Sequence, residues 1–409
     1  MKHIILLGDG MADYPITSLG GKTPLEYAHT PNMDRIAAEG SLGLVETVPR
    51  GLLPGSDVAN LAVLGYDPLR CYSGRGPLEA ASMGVEMGPD DVAFRCNLVS
   101  ITEGQNPQLI DFTAGHIRSD AAKVLIHELE TELGSDVFSF YPGVGYRHLF
   151  LWKKGVYTME TTPPHDITGR GINDFLPKGE GAPRLIEVMD RAQSILKDHP
   201  LNKQRVKEGE RPANSIWLWG QGRAPRISPL AARHNLRGGM ISAVDLLKGI
   251  AIYAGLKVIN VDGATGYTDT NYLGKAEKAL AALQDLDFIF LHVEAPDEMG
   301  HEGNLEGKIR AIEDFDNKVV GTILAGMPQF PSFRIMVLSD HPTPVSLMTH
   351  SADASPFAVY SSNREENLHR GASFGETAAK SGEILVSPGY LLMDYFIGDW
   401  RKFIGEKSH

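Results

Sequence analysis

Short apolar runs closed by Gly, Asp or Pro recur along the chain, and segments of helical period lie between them. His3–Leu7, Ala93–Ile101, Leu149–Trp152, Ser215–Trp219, Lys257–Val261, Phe288–Val293 and Arg334–Leu338 read as strands. Apolar positions spaced by three and four residues predict helices over Asn32–Glu39, Ala121–Leu133, Ala243–Ala254, Leu273–Leu283 and Leu305–Leu324. Strands that are apolar throughout and alternate with helices predict a mainly parallel α/β sheet with helices on both faces. A chain of 409 residues exceeds one average domain. The Lys/Glu/Pro-rich stretch Asp198–Pro212 breaks the alternation. Together these predict a core built from residues 1–84 and 211–409, with a smaller α/β domain inserted at 85–210.

Composition narrows the possibilities. The formal charge is −12, so the surface repels phosphate backbones and nucleic acid is an unfavourable partner. The apolar run after Met1 ends in Gly8-Asp9-Gly10, too soon for a signal peptide's apolar core. No stretch approaches the ~18 apolar residues of a membrane span. Cys71 and Cys96 make neither a disulfide framework nor a zinc ribbon. A reduced, cytoplasmic protein acting on a small molecule is the expectation.

In open α/β sheets ligands sit beyond the carboxyl ends of the strands. Three predicted strands here end in acid or imidazole: His3–Leu7 runs into Asp9, Phe288–Val293 into Glu294-Ala-Pro-Asp297 and then His301, and Arg334–Leu338 into Asp340-His341. Asp297 and His301 are four apart and would share one helical face; His350 follows after a Pro- and Thr-containing loop. A lone Asp after a strand is usually a cap, and a lone His is usually a surface residue. The joint pattern offers more oxygen and nitrogen ligands than one divalent ion needs, which suggests two adjacent metals. Ser56, in Pro54-Gly55-Ser56-Asp57 before the helical Val58–Leu64, sits where helix amides and the positive dipole end meet anions. On local sequence alone the ordinary N-cap is its commoner role; a metal-bound serine there would be a nucleophile toward phosphoryl groups.

Several familiar signals are missing. Gly263-Ala-Thr-Gly266 lacks the Lys-Ser/Thr ending of a phosphate loop, and Gly8 and Gly10 are followed by Asp13 where a dinucleotide fingerprint needs glycine. No GxSxG elbow surrounds Ser56. Trp217 and Trp219 read as packing residues of one strand.

The motifs GDGMAD, PGSD, HVEAPDEMGHEGN and SDHPTP with a later His, together with SLGGKTPLEYAHTPNMDRIA, LGYDP, SGRGPLEAASMGV, FRCN, YRHLF, PPHDITG and GATGYTDTN, span most of the chain in order. They resemble the alkaline phosphatase superfamily, specifically the archaeal-type 2,3-bisphosphoglycerate-independent phosphoglycerate mutases. The resemblance implies that Asp9, Ser56, Asp340 and His341 hold one metal and that Asp297, His301 and His350 hold the other. It further implies a phosphoserine at Ser56 and Mn²⁺ or a similar ion (Zn²⁺, Co²⁺ or Mg²⁺). One departure is His116, in Ala114-Gly115-His116-Ile117, where relatives are expected to carry Arg. A homoserine-kinase-like phosphotransferase or phosphatase of the same superfamily, or a non-catalytic metal-binding relative, therefore stays an alternative.

Phosphoglycerate carries a phosphate and a carboxylate, so a mutase needs cationic groups beyond its metals. Arg147-His148 and His165-Asp166 are the candidates between Ser56 and the returning strands, with His165 or Asp166 able to move protons between the glycerate hydroxyls. A surface ion pair and a loop cap explain them equally well. Arg75 and Arg95 are lesser candidates with structural roles available. Lys248 could reach a phosphoserine or simply be solvated on its helix.

Overall fold

A computed structural model describes residues 1–369 and 371–407 of the chain. It divides into two units, Met1–Tyr72 with Ile227–His409, and Ser73–Arg226. The strands in chain order are β1 (Lys2–Gly8) and β2 (Ser41–Val45), then β3 (Val92–Ile101), β4 (Leu109–Asp111), β5 (Phe138–Val144), β6 (Arg147–Trp152) and β7 (Ser215–Gly222). After them come β8 (Gly238–Ile241), β9 (Lys257–Val258), β10 (Phe288–Val293), β11 (Phe333–Leu338), β12 (Ser355–Ser361) and β13 (Leu385–Val386).

The first unit is an eight-stranded sheet in the order β13-β2-β12-β11-β1-β10-β8-β9. Its centre is parallel: β1 lies between β10 and β11, with Gly8 opposite Val293 and Leu7 opposite Leu338. This register brings three strands to an end at one level, so the residues that follow them emerge side by side. Only β12 runs against its neighbours β11 and β2. Ile4, Leu6, Ile289, Leu291, Ile335 and Val337 point to one core with Ala276, Ile312 and Phe315 of the covering helices. The alternate residues Ile5, Leu7, Phe290 and Met336 are equally buried, so both faces are covered and the strand sequences are apolar throughout.

The segment expected as one helix over Leu305–Leu324 is interrupted: Leu305–Asp314 is α-helical, Phe315–Val320 is a π-turn and Gly321–Gly326 resumes the α-helix. The wider turn carries buried Asp316, whose carboxylate accepts from the backbone N–H groups of Asn32 (3.3 Å) and Met33 (2.7 Å). It thereby caps the helix Pro31–Glu39, for which Thr30 offers no side-chain hydrogen bond.

The second unit is an antiparallel sheet of five strands, β4-β3-β6-β5 with β7 also on β3. Leu125, Ile126 and Leu129 of the helix Ser119–Leu133 and Leu185, Ala192 and Leu196 of Ala182–Asp198 share a core with Phe94, Phe150 and Trp217.

The structure departs from three further expectations. The unit runs from 73 to 226, not 85 to 210, because the helix Gly76–Ser82 precedes β3 within it and β7 pairs with β3 from Ala93 to Val99. The strand Ser215–Trp219 thus belongs to the inserted sheet. The charged stretch after Asp198 is largely a helix, Pro200–Lys207, anchored by buried Asn202, whose side-chain amide donates to Leu196 O and Ala213 O, both at 2.9 Å. The strand expected over Lys257–Val261 pairs only at Lys257–Val258.

Candidate active site

Asp9, Asp340 and His341 follow directly from β1 and β11 and are fully buried. Ser56 is the first residue of the helix Ser56–Val63, with its Oγ 3.4 Å from Asp9 Oδ1 and 3.2 Å from His341 Nε2. His341 Nε2 lies 3.4 Å from Asp9 Oδ1 and 3.5 Å from Asp340 Oδ2. A second group stands on the short helix Ala295–His301 and the loop after β11: His301 Nε2 is 3.2 Å from Asp297 Oδ2, His350 Nε2 is 3.5 Å from Asp297 Oδ1, and the two imidazole Nε2 atoms are 2.9 Å apart. The rings of His341 and His350 approach to 4.2 Å between centroids, so the two groups adjoin.

Gly10 lies between them. Its N–H donates to Asp340 Oδ1 at 3.1 Å, its φ is +59°, and a Cβ there would meet Asp297 Oδ1 and Thr343 Oγ1 at 2.5 Å. Both the left-handed backbone and the close approach demand glycine.

The charges are arranged for cations. Burial, then the neighbouring carboxylates of Asp340, Glu294 and Asp297, push the Asp9 pKa well above the usual carboxylate range. Glu294 is raised likewise by burial and by Asp297. Burial would raise Asp297 too, but hydrogen bonds from His301 and His350 outweigh it and hold it well below. The same bond to Asp297 lifts His301 to about 9. Buried, mutually repelling acids facing imidazoles are costly without a compensating positive charge. In each group the donor atoms lie within 4.8 Å of one another, and their mixture of carboxylate and imidazole suits divalent metal ions.

Sequence reasoning passed over several residues that shape this centre. Asn60, one helical turn after Ser56, donates from its amide to Ser56 O (2.8 Å) and Asp340 Oδ2 (2.9 Å); the i, i+4 spacing could have pointed to it. Thr343 donates to Asp297 Oδ1. Lys308, fully buried, donates to Asp13 Oδ2 (2.8 Å), Ala12 O (3.2 Å) and Thr343 O (2.8 Å), tying the loop after β1 to the loop after β11. His292 joins Glu294, the acid already noted at the end of its strand, in a third group with Asp9. Lys248 is half-buried and pairs with Asp245 at 3.1 Å.

In the inserted unit the candidates divide. Arg95 lies over the Trp219 ring at 4.5 Å and pairs with Glu79 at 3.0 Å, with Arg75 and Arg147 close enough for their charges to act on it. His165 packs edge-on to Trp219 and Phe112. Partial desolvation against these rings, with Arg75 and Arg95 nearby, lowers its pKa against the pull of Asp166. Arg75, Arg95, Arg147, His165 and Asp166 therefore gather in one cationic neighbourhood. His148 does not join them: alternation along β6 turns it inward, where Nδ1 accepts from Gly143 N–H at 3.0 Å and burial drops its pKa to about 3. His116 is exposed, in a tight turn where Ala114, Gly115 and His116 all have positive φ.

Comparison with known proteins gives a consistent picture. The profile of the 2,3-bisphosphoglycerate-independent phosphoglycerate mutase family matches residues 37–202. A probable 2,3-bisphosphoglycerate-independent phosphoglycerate mutase of Geobacter sulfurreducens is 54% identical over 398 residues, 97% of this chain and 100% of its own. The mutase of Methanosarcina barkeri is 52% identical over 94% of this chain and 96% of its own. Among solved structures, a Pyrococcus horikoshii protein superimposes with a TM-score of 0.82 at 30% identity, covering 98% of this chain and 97% of that one. The cofactor-independent phosphoglycerate mutase of Thermoplasma acidophilum gives 0.66 at 26% identity, covering 97% of this chain and 99% of that one.

Proposed function

Because this chain belongs to the 2,3-bisphosphoglycerate-independent phosphoglycerate mutase family, we propose that it interconverts 3-phosphoglycerate and 2-phosphoglycerate through a phosphoserine at Ser56. The observation that carries this reading is the Ser56 hydroxyl, 3.2 Å from His341 Nε2 and 3.4 Å from Asp9 Oδ1, beside a second carboxylate–imidazole group.

One divalent ion would be held by Asp9, Asp340 and His341 with Ser56, and a second by Asp297, His301 and His350; Mn²⁺ is the first choice for this mixture of oxygen and nitrogen donors. Bound there, the ions would favour the serine alkoxide and neutralise charge on the transferring phosphoryl group. Ser56 Oγ attacks phosphorus as the bond to the C3 oxygen breaks, and that oxygen takes a proton. The C2 hydroxyl then gives up its proton as its oxygen takes the phosphoryl group back from Ser56. His165 and Asp166 are assigned these proton transfers, and Arg75, Arg95 and Arg147 the hold on the glycerate carboxylate. Lys248 is not given a role, since it already pairs with Asp245, nor is His148. Among the described residues no helix is long and apolar enough to cross a membrane, and both cysteines are buried and free, consistent with a cytoplasmic enzyme.

The test is an assay of the Mn²⁺-loaded protein on 3-phosphoglycerate beside homoserine with ATP. Formation of 2-phosphoglycerate without homoserine phosphorylation is expected. Turnover of homoserine alone, or of neither, overturns the reading.

A further inference from the structure

We propose that His292 is a positioning residue, locked by Ser242 in the tautomer that carries its proton on Nε2, and that it decides which oxygen of Asp9 serves the metals. This rests on the reading of Asp9 as a metal ligand. His292 is fully buried on β10, directly opposite Leu7 of β1, two residues before Asp9. Both its ring nitrogens are engaged. Nδ1 lies 3.2 Å from Ser242 Oγ, and Nε2 lies 2.7 Å from Asp9 Oδ2 and 3.3 Å from Glu294 Oε2. Ser242 Oγ already accepts the backbone N–H of Val244 at 3.0 Å, which turns its own hydroxyl proton toward Nδ1. With Nδ1 accepting and two carboxylates facing the other side, the ring proton belongs on Nε2. The backbone is fixed as well: the Lys275 ammonium, itself buried, donates to His292 O at 3.1 Å.

Two consequences follow. The Asp9 carboxylate is divided: Oδ2 is occupied by the imidazole N–H, while Oδ1 is the oxygen 3.4 Å from both Ser56 Oγ and His341 Nε2. Asp9 would then bind its ion through Oδ1 alone, in a fixed orientation, as hydrogen-bonded carboxylate ligands commonly do. Second, Asp9, His292 and Glu294 are close enough to suggest a third metal group, but a ring nitrogen that carries a proton has no lone pair to give. The third group supports the first ion and holds none of its own.

The test compares His292→Leu, which removes the donor, with His292→Gln, which returns an amide N–H near the Nε2 position. Mn²⁺ binding is measured by calorimetry without substrate. Wild-type protein should take two ions. The Leu variant should bind one of them 10- to 100-fold more weakly with the other unchanged, a selective loss that general destabilisation would not produce. The Gln variant should recover most of the affinity. If His292→Leu does not fold, Ser242→Ala serves instead and should weaken the same single ion. Nitrogen NMR of Zn²⁺-loaded protein labelled at histidine should place the His292 proton on Nε2. A third bound ion with a metal-shifted His292 nitrogen, or a folded Leu or Ala variant with both affinities intact, overturns the proposal. Wild-type protein that binds no divalent ion would instead defeat the metal reading itself, so the two failures are distinguishable.

Discussion

The two units carry their functional candidates in opposite ways. In the first, Asp9, Asp340 and His341 have no exposed surface, and each leaves a strand whose neighbours fix its height to the residue. In the second, Arg147, His165 and Asp166 are exposed, on a hairpin strand and a short 3-10 turn. Burying charge is costly unless partners are placed in advance, so the sheet supplies them at one level and Gly10, Asn60, Thr343, Lys308 and His292 complete the cage. A group that grips a substrate needs no such cage, because the substrate brings the counter-charge. On the proposed function, chemistry would reside in the preorganised parallel sheet and recognition in the antiparallel insertion, where Arg95 is already paired with Glu79.

That contrast predicts different failures. Asp297→Ala removes the carboxylate shared by His301 and His350, and turnover should fall by roughly three orders of magnitude, the scale of losing a principal electrostatic stabiliser. Metal analysis should show one ion lost and the other retained. If both ions remain, the second group is not a metal site.

Arg147→Ala and Asp166→Ala should cost less, about 100-fold in isomerisation, and should leave metal content untouched. Hydrolysis of the phosphoserine should fall less than isomerisation, so the ratio of phosphate released to 2-phosphoglycerate formed rises. An unchanged ratio and rate in both variants would remove these residues from the substrate site.

The smallest effect on activity lies at the opposite end of β1. His3 is buried with neither ring nitrogen hydrogen-bonded, and burial with the nearby Arg334 charge lowers its pKa from 6.5 to about 3. In acid the unfolded chain takes up a proton that the fold refuses, so stability is lost as pH falls from 6.5 toward 3, at no more than about 1.4 kcal/mol per pH unit. His3→Leu should flatten that part of the stability curve in chemical denaturation and leave activity near neutrality alone. An equally steep acid loss in the variant would place the titrating group elsewhere.

The legibility of the chain follows the same division. Fully apolar strands ending in acids gave away the sheet and the carboxylate–imidazole cluster at its end, because burial on both faces and chemistry at the strand ends each leave a local mark. Asn60 left only its spacing from Ser56, and Lys308, on a helix with a solvated face, left less: each reads as ordinary until the carboxylate or carbonyl it serves, 280 residues away for Asn60, is known. The edges of the insertion escape a reading of the sequence because β7 pairs with β3 across 120 positions at Asn97↔Trp217, a pairing that no local pattern announces. The helix Pro200–Lys207 was hidden because its surface is charged and only Asn202 and Arg205 are buried.

Ser56 is the centre of the proposed chemistry. Protein loaded with Mn²⁺, mixed with 3-phosphoglycerate and quenched in acid within one turnover should carry phosphate on Ser56 by peptide mass spectrometry. Ser56→Ala should bind both ions, fold normally, carry no phosphate and form no 2-phosphoglycerate. An unmodified Ser56 in active protein, or an active Ala variant, would contradict the phosphoserine route.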